Sequence, residues 1–163
     1  MCFRLRDWQH GDADWYIAAR DEEILRWTTE PEQLTVSEFR DGVERLDGTE
    51  RAGFAVSDAA TDLVGNVAAV RRGPVAELMF WVAAEARGRG VATFALSAMS
   101  SWVASNWPVT RLELQINPAN AGSIAVAERV GYEYQEERKS CLSCAGPEGT
   151  VAIYARLVIP AVG

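Results

Sequence analysis

The segment Arg87-Gly88-Arg89-Gly90-Val91-Ala92-Thr93 carries the most specific chemistry in the chain. It follows the apolar run at residues 76–82 and opens a long stretch with helical periodicity, so it reads as strand, short turn, helix. Such a turn aims successive backbone N–H groups and a helix N-terminus at one point, which suits phosphate. Gly88 and Gly90 allow a ligand to approach the backbone closely. No Lys-Ser/Thr pair follows the glycines, which excludes the nucleoside-triphosphate loop, and Thr93 stands where the dinucleotide fingerprint has its third glycine. A different phosphate ligand is implied.

Glu77 is the one ionisable side chain in the apolar run at residues 76–82. If buried there, it is a candidate general base, because desolvation favours the protonated carboxyl; the other reading is a strand-end carboxylate facing water. Asn120 and Ser123 are three residues apart and suit the first turn of a helix, where they can cap, face a ligand, or do both. Cys141 and Cys144 form one C-x-x-C, but no second pair exists and the sole histidine, His10, lies at the other end of the chain. That set is too small for zinc, and a thiol with no neighbouring histidine gives no support to a covalent thiol route. No metal site is expected.

The elements that must position these groups follow from composition and periodicity. The chain has 163 residues, 48% hydrophobic and 24% charged, which suits one globular domain spanning 1–163. Its 16 Lys+Arg against 23 Asp+Glu give a formal charge of −7, which repels nucleic acid and anionic lipid. The first eleven residues lack the apolar core of a secretory signal, and the uncharged run at 90–110 is broken by serines, Asn106 and Pro108, so neither export nor a membrane span is expected. Three cysteines without a disulfide pattern suit the reducing cytoplasm.

A strand at residues 2–6 is followed by a helix carrying Trp15, Ile17 and Ala18; residues 21–47 suggest two short helices broken near Pro31. Strands at 52–57 and 63–70 are joined by the turn 58–62, and residues 76–82 are apolar on both faces like a central strand. A helix over 91–106, a half-buried strand over 111–116, a helix from Asn120 to Val130 stopped by Gly131, and strands near 132–139 and 151–157 complete the chain. The class is α/β of the α+β type.

Residues 87–92 match the Gln/Arg-x-x-Gly-x-Gly/Ala signature of the GCN5-related N-acetyltransferases (GNAT), and the stretch from Asn117 to Ser123 and on to Gly131-Tyr132 resembles the Asn-x-x-Ser and Gly-Phe/Tyr elements of the RimJ/RimL-like ribosomal-protein N-terminal acetyltransferases. The resemblance extends over the whole chain and is strongest from 62 to 139. It implies a mixed, mostly antiparallel sheet of about seven strands, splayed at its centre and flanked by about four helices. It also implies acetyl-coenzyme A as acyl donor, coenzyme A as product, and a primary amine as acceptor, attacked directly in a ternary complex.

In that resemblance Arg87, Gly88, Arg89, Gly90, Val91, Ala92 and Thr93 cradle the diphosphate. Free backbone groups of Phe80, Trp81 and Val82 pair with pantetheine, and Asn117, Asn120 and Ser123 complete the cofactor set. Glu77 corresponds to the general base and Ser123 to the group that meets the departing sulfur. Many members carry a tyrosine where this chain has Ala127, which leaves Ser123 or a water to protonate the thiolate. Trp27 and acidic residues such as Glu30 either guide the cationic acceptor or anchor the core. The acceptor classes implied are a protein N-terminal α-amine or a small amine, with an aminoglycoside, polyamine or amino acid as alternatives. A noncatalytic acyl-coenzyme A sensor is the alternative of another class. The chain is expected to act as a monomer or homodimer.

Overall fold

In the computed structural model, which describes residues 2–159, every apolar run read as a strand forms one. β1 (Phe3–Asp7), β2 (Arg51–Asp58), β3 (Leu63–Arg72), β4 (Val75–Val82), β5 (Arg111–Ile116), β6 (Glu133–Lys139) and β7 (Thr150–Leu157) make a seven-stranded sheet in the order β1-β2-β3-β4-β5-β7-β6. All neighbours are antiparallel except β4 and β5. β4 is the middle strand, as its two apolar faces require.

The described residues form five α-helices, α1 (Ala13–Ala19), α2 (Glu22–Trp27), α3 (Val36–Glu44), α4 (Val91–Asn106) and α5 (Ala121–Arg129), where the resemblance implied about four. The sequence reading already parts α1 from α2 here, and the break lies at Arg20, whose ψ of 81° leaves the helical region. Asp21 then starts a fresh helix, its carboxylate accepting the Ile24 N–H at 3.0 Å. Thr35 and Glu38 form a reciprocal capping box on α3. None of the described helices is long and apolar enough to cross a membrane.

α4 carries no charge along its length and lies against β3 and β4, burying Leu96, Met99 and Val103 over Val67 and Leu78. Ser100 in its middle satisfies its hydroxyl on the Leu96 carbonyl and shares a hydrogen bond of 2.7 Å with the buried Tyr132 hydroxyl. On the opposite face α1 and α3 pack Ala13 and Phe39 on Trp8 and Ala55. Trp8 Nε1 donates to Asn66 Oδ1 at 3.1 Å inside that layer. The sheet is thereby held from both sides along its first four strands.

The feature that matters for function is where the sheet fails to close. β4 and β5 are paired only through Val75 with Arg111, Ala76 with Leu112 and Glu77 with Glu113. β5 continues on β7 as far as Ile116, and β4 continues on β3 as far as Val82. Between those two arms the sheet is forked. β3 must hug β4 closely along this arm: a Cβ on Gly65 would lie 2.7 Å from the Trp81 carbonyl oxygen. Gly65→Ala is expected to destabilise the protein by about 1–3 kcal/mol, seen as a lowered denaturant midpoint at unchanged slope.

Candidate active site

The fork leaves the β5-facing backbone edge of residues 78–82 in β4 unpaired within the sheet. Beyond it, Gly88 and Gly90 adopt φ of 76° and 83°, the left-handed region that β-branched and bulky residues avoid. A Cβ at either position meets nothing within 4 Å, so the backbone angle demands glycine here and the space beside it stays open. Gly90 is the N-cap of α4 and offers no capping side chain, and the first turn of α4 has no acidic residue. Its first N–H groups therefore face an open cleft as orphan donors.

That cleft has a volume of about 610 Å³ and runs past Phe80, Trp81 and Val82, then Arg87, Gly88 and Gly90, then Val91, Ala92 and Thr93. α2 roofs it through Glu23, Ile24 and Trp27, and α5 walls it through Asn120, Ser123, Val126 and Arg129. A second, smaller cavity of about 120 Å³ contains Arg72, Glu77, Met79, Gln115, Leu142 and Cys144. The two share Trp27, Thr28, Phe80, Asn120 and Ser123, so they meet at the fork.

At the meeting point Asn120 does both jobs allowed by its spacing. Its Oδ1 caps α5 by accepting the Ser123 N–H at 3.2 Å, and its Nδ2 donates to Ser123 Oγ at 3.0 Å. The Ser123 oxygen thus accepts one hydrogen bond from Asn120, while its own proton remains available to a ligand. Ala127 is fully buried in the core, so α5 offers no hydroxyl at the position where the resemblance leads one to look for tyrosine.

The other residues singled out in the sequence separate. Arg87 lines the large cleft, with Nη2 on Asp21 Oδ1 at 2.9 Å. That hydrogen bond holds the Asp21 carboxyl below its ordinary range and raises the Arg87 guanidinium. Arg89 instead turns toward Asp58, 3.7 Å away, and borders a third cavity with Trp15, Asp62 and Glu85. Asn117 accepts the Ala119 N–H at 2.9 Å, shaping the turn before α5, and lines neither the cleft nor the smaller cavity.

Glu77 does line the smaller cavity, but its side chain is 29% exposed and lies 3.6 Å from Arg72 Nε, so the burial foreseen from its apolar strand is incomplete. Trp27 lines both cavities, its indole N–H held by Glu23 at 3.0 Å.

Glu30 faces neither cavity; its carboxylate is only 7% exposed and accepts hydrogen bonds from the Tyr16 hydroxyl and from Trp81 Nε1, the latter at 3.1 Å. Arg20 lies 3.7 Å from it. Burial, then the Glu30 charge, pushes the Tyr16 hydroxyl well above the ordinary tyrosine range, which keeps it a proton donor to this knot. Glu30 thus belongs to a buried network that fastens the α1–α2 region to β4.

The sequence profile of the acetyltransferase (GNAT) domain matches residues 3–133. The chain belongs to the GNAT acetyltransferase family. No curated protein matches it in sequence. Among solved structures it is similar to spermidine N-acetyltransferase from Vibrio cholerae in complex with CoA and spermine (TM-score 0.83, 17% identity, 96% of this chain and 95% of the other). It is also similar to Mycobacterium smegmatis RimJ in complex with CoA-disulfide (0.82, 20%, 95% and 81%). A third is the aminoglycoside acetyltransferase AAC(6')-Ib with coenzyme A (0.78, 15%, 96% and 95%). At such identities the likeness is one of fold.

GNAT enzymes use acetyl-coenzyme A, and the cleft of this GNAT chain fits that group. It offers a free strand edge for an amide-bearing arm, uncapped N–H groups for a diphosphate, and two cations along its wall. The second cation, Arg129, is one the sequence reading passed over. It reaches Thr93 Oγ1 on the first turn of α4 at 3.2 Å, and only the packing of α5 beside α4 brings it there. Its signal in sequence is a lone arginine in the last turn of α5, which any helix C-terminus favours.

Two outcomes are expected. Gly90→Val forces a β-branched residue to φ near 83°, so coenzyme A affinity measured by calorimetry should fall more than about tenfold, while the fold survives with a loss of about 1–3 kcal/mol. Cys144 is buried with its thiol pushed up by desolvation and by the nearby Glu77 charge, whereas Cys2 and Cys141 are exposed. At pH 7.5 a disulfide reagent should therefore modify two thiols quickly and the Cys144 thiol slowly, its rate rising with pH.

Proposed function

We propose that this GNAT enzyme acetylates the α-amine of a polypeptide chain by direct attack at the fork, in the manner of the RimJ/RimL-like branch and in the cytoplasm. The observation that carries the reading is the junction of the two cavities at Asn120 and Ser123, one side built for the donor and the other open to an acceptor. Acetyl-coenzyme A supplies the acetyl group as a thioester. On the chain's side, the free edge of residues 78–82 orients the donor arm as an added strand, and α4 with Arg87 and Arg129 neutralises its phosphates. Ser123, whose oxygen accepts from Asn120, donates a hydrogen bond to the departing sulfur.

The acceptor nitrogen has to be neutral before it attacks. An α-amine of pKa about 7.8 is roughly one-seventh neutral at pH 7, and a lysine near 10.4 only about once in 2,500 molecules. Glu77 lies three residues down β4 from Phe80, about 10 Å along the strand, so it serves through a water relay. That modest help suits an α-amine.

Charge at the acceptor side supports the same class. Glu77 is matched by Arg72 at 3.6 Å, and its strand neighbour Glu113 by Arg111 at 2.6 Å and Arg138 at 3.5 Å. A polyamine or aminoglycoside carries several ammonium groups and calls for carboxylates left unmatched. The small volume suits a short first residue.

The test is release of coenzyme A thiol with a panel of N-terminal peptides, spermidine, kanamycin and free amino acids. Peptides should be the preferred acceptors; a polycation turned over faster than every peptide overturns the acceptor class. Ser123→Ala should lower kcat about 10- to 100-fold with little change in acetyl-coenzyme A KM, and Glu77→Gln should act mainly below pH 7, where fewer α-amines are neutral. Full activity in both variants would remove their assigned roles.

A further inference from the structure

The same guanidinium that lines the phosphate end of the cleft is engaged by a carboxylate of the roof. Arg87 Nη2 donates to Asp21 Oδ1 at 2.9 Å, and that oxygen also accepts the Ile24 N–H at 3.0 Å as the cap of α2. α2 is the element whose Ile24 and Trp27 cover the cleft and whose end, Thr28, lines the junction. At its far end the roof is tied down by Glu30, which accepts Trp81 Nε1 at 3.1 Å. The same buried knot flanks α2 at both ends, through Arg20 before it and Glu30 after it, and a half-exposed ion pair, with side chains 38% and 34% exposed, adds a tie from its cap to the loop.

We infer that Asp21 is a positioning residue, an internal anion that occupies and orients Arg87 until the diphosphate of the donor takes the guanidinium over. Three points support this beyond the pair itself. Arg87 lines the cleft from beneath the roof, so a diphosphate there and Asp21 face one cation from two sides. A carboxylate and a diphosphate are both bidentate partners for arginine, and the doubly charged one wins in the same geometry. Asp21 also keeps a use after release, because its Oδ1 remains the cap of α2, so the helix can part from the loop without unravelling. Donor binding then carries the small cost of one exposed ion pair. This rests on the proposed donor site.

The experiment is a coenzyme A titration of the wild type, Asp21→Asn, Arg87→Gln and the double variant. Asparagine is as good a cap as aspartate, so α2 is retained while the charge is lost. Asp21→Asn should bind coenzyme A about threefold more tightly, the scale of one exposed ion pair, with the KM for acetyl-coenzyme A falling alike and kcat held within about twofold. Arg87→Gln should bind more weakly, and adding Asp21→Asn to it should produce no further gain. Glu85→Gln, an exposed charge near Arg87 with no hydrogen bond to it, controls for loss of negative charge alone and should shift affinity far less. Equal or weaker binding by Asp21→Asn, or a gain that persists without Arg87, overturns the inference. Should Asp21→Asn fail to fold, Asp21→Ser offers the same cap oxygen without charge and is read by the same criteria. Wild-type protein that binds no coenzyme A at all would instead overturn the donor site.

Discussion

Three residue pairs hold β4 to β5, and then the strands part. Every functional property described above depends on that parting. Backbone N–H and C=O groups withdrawn from water must find partners, and in a closed sheet those of residues 78–82 would be spent on β5. Here one edge of β4 stays available, and α5 enters beside it with Asn120 and Ser123 at its first turn. The fork also joins the two cavities, through Phe80, Asn120 and Ser123. The rest of the molecule serves to keep the arms apart: β3 and α4 hold β4 from one side, and β7 holds β5 from the other.

The electrostatics resolve an apparent conflict. A chain with a formal charge of −7 is a poor general host for a polyanion. Attraction is instead local, from α4's uncapped N-terminus with Arg87 and Arg129 on the cleft wall. Elsewhere the least exposed acidic side chains are matched by arginines. Glu113 sits between Arg111 and Arg138, Glu30 beside Arg20, and Asp58 beside Arg89. Such pairing makes these carboxylates structural, and the Arg72–Glu77 pair leaves the smaller cavity close to neutral.

Much of this was legible before any coordinates. The order of strands and helices followed from period-2 and period-3.6 patterning, with boundaries that moved by only a residue or two. The glycine turn, its placement between a doubly apolar strand and an uncharged helix, and the Asn120–Ser123 spacing led to the donor cleft, because backbone conformation and helix caps are local properties. Glu30 shows where such reading ends. As an acid after a short helix it resembled a lure for cationic substrates, yet its partners Tyr16 and Trp81 come from 14 residues before and 51 residues after it.

Arginines divide along the same line. Arg87 and Arg89 are two residues apart in one loop, but the left-handed turn at Gly88 separates them, sending one to the cleft beside Asp21 and the other to Asp58. Arg129 gains its place only because α5 lies against α4. The amino-acid sequence by itself determined the elements, the phosphate-binding turn and the family, since each is encoded in short-range spacing. Tertiary structure alone decided which charges face the cleft, how deep Glu77 lies and that the two cavities join, because a side chain's partners are set by contacts between segments far apart in the chain.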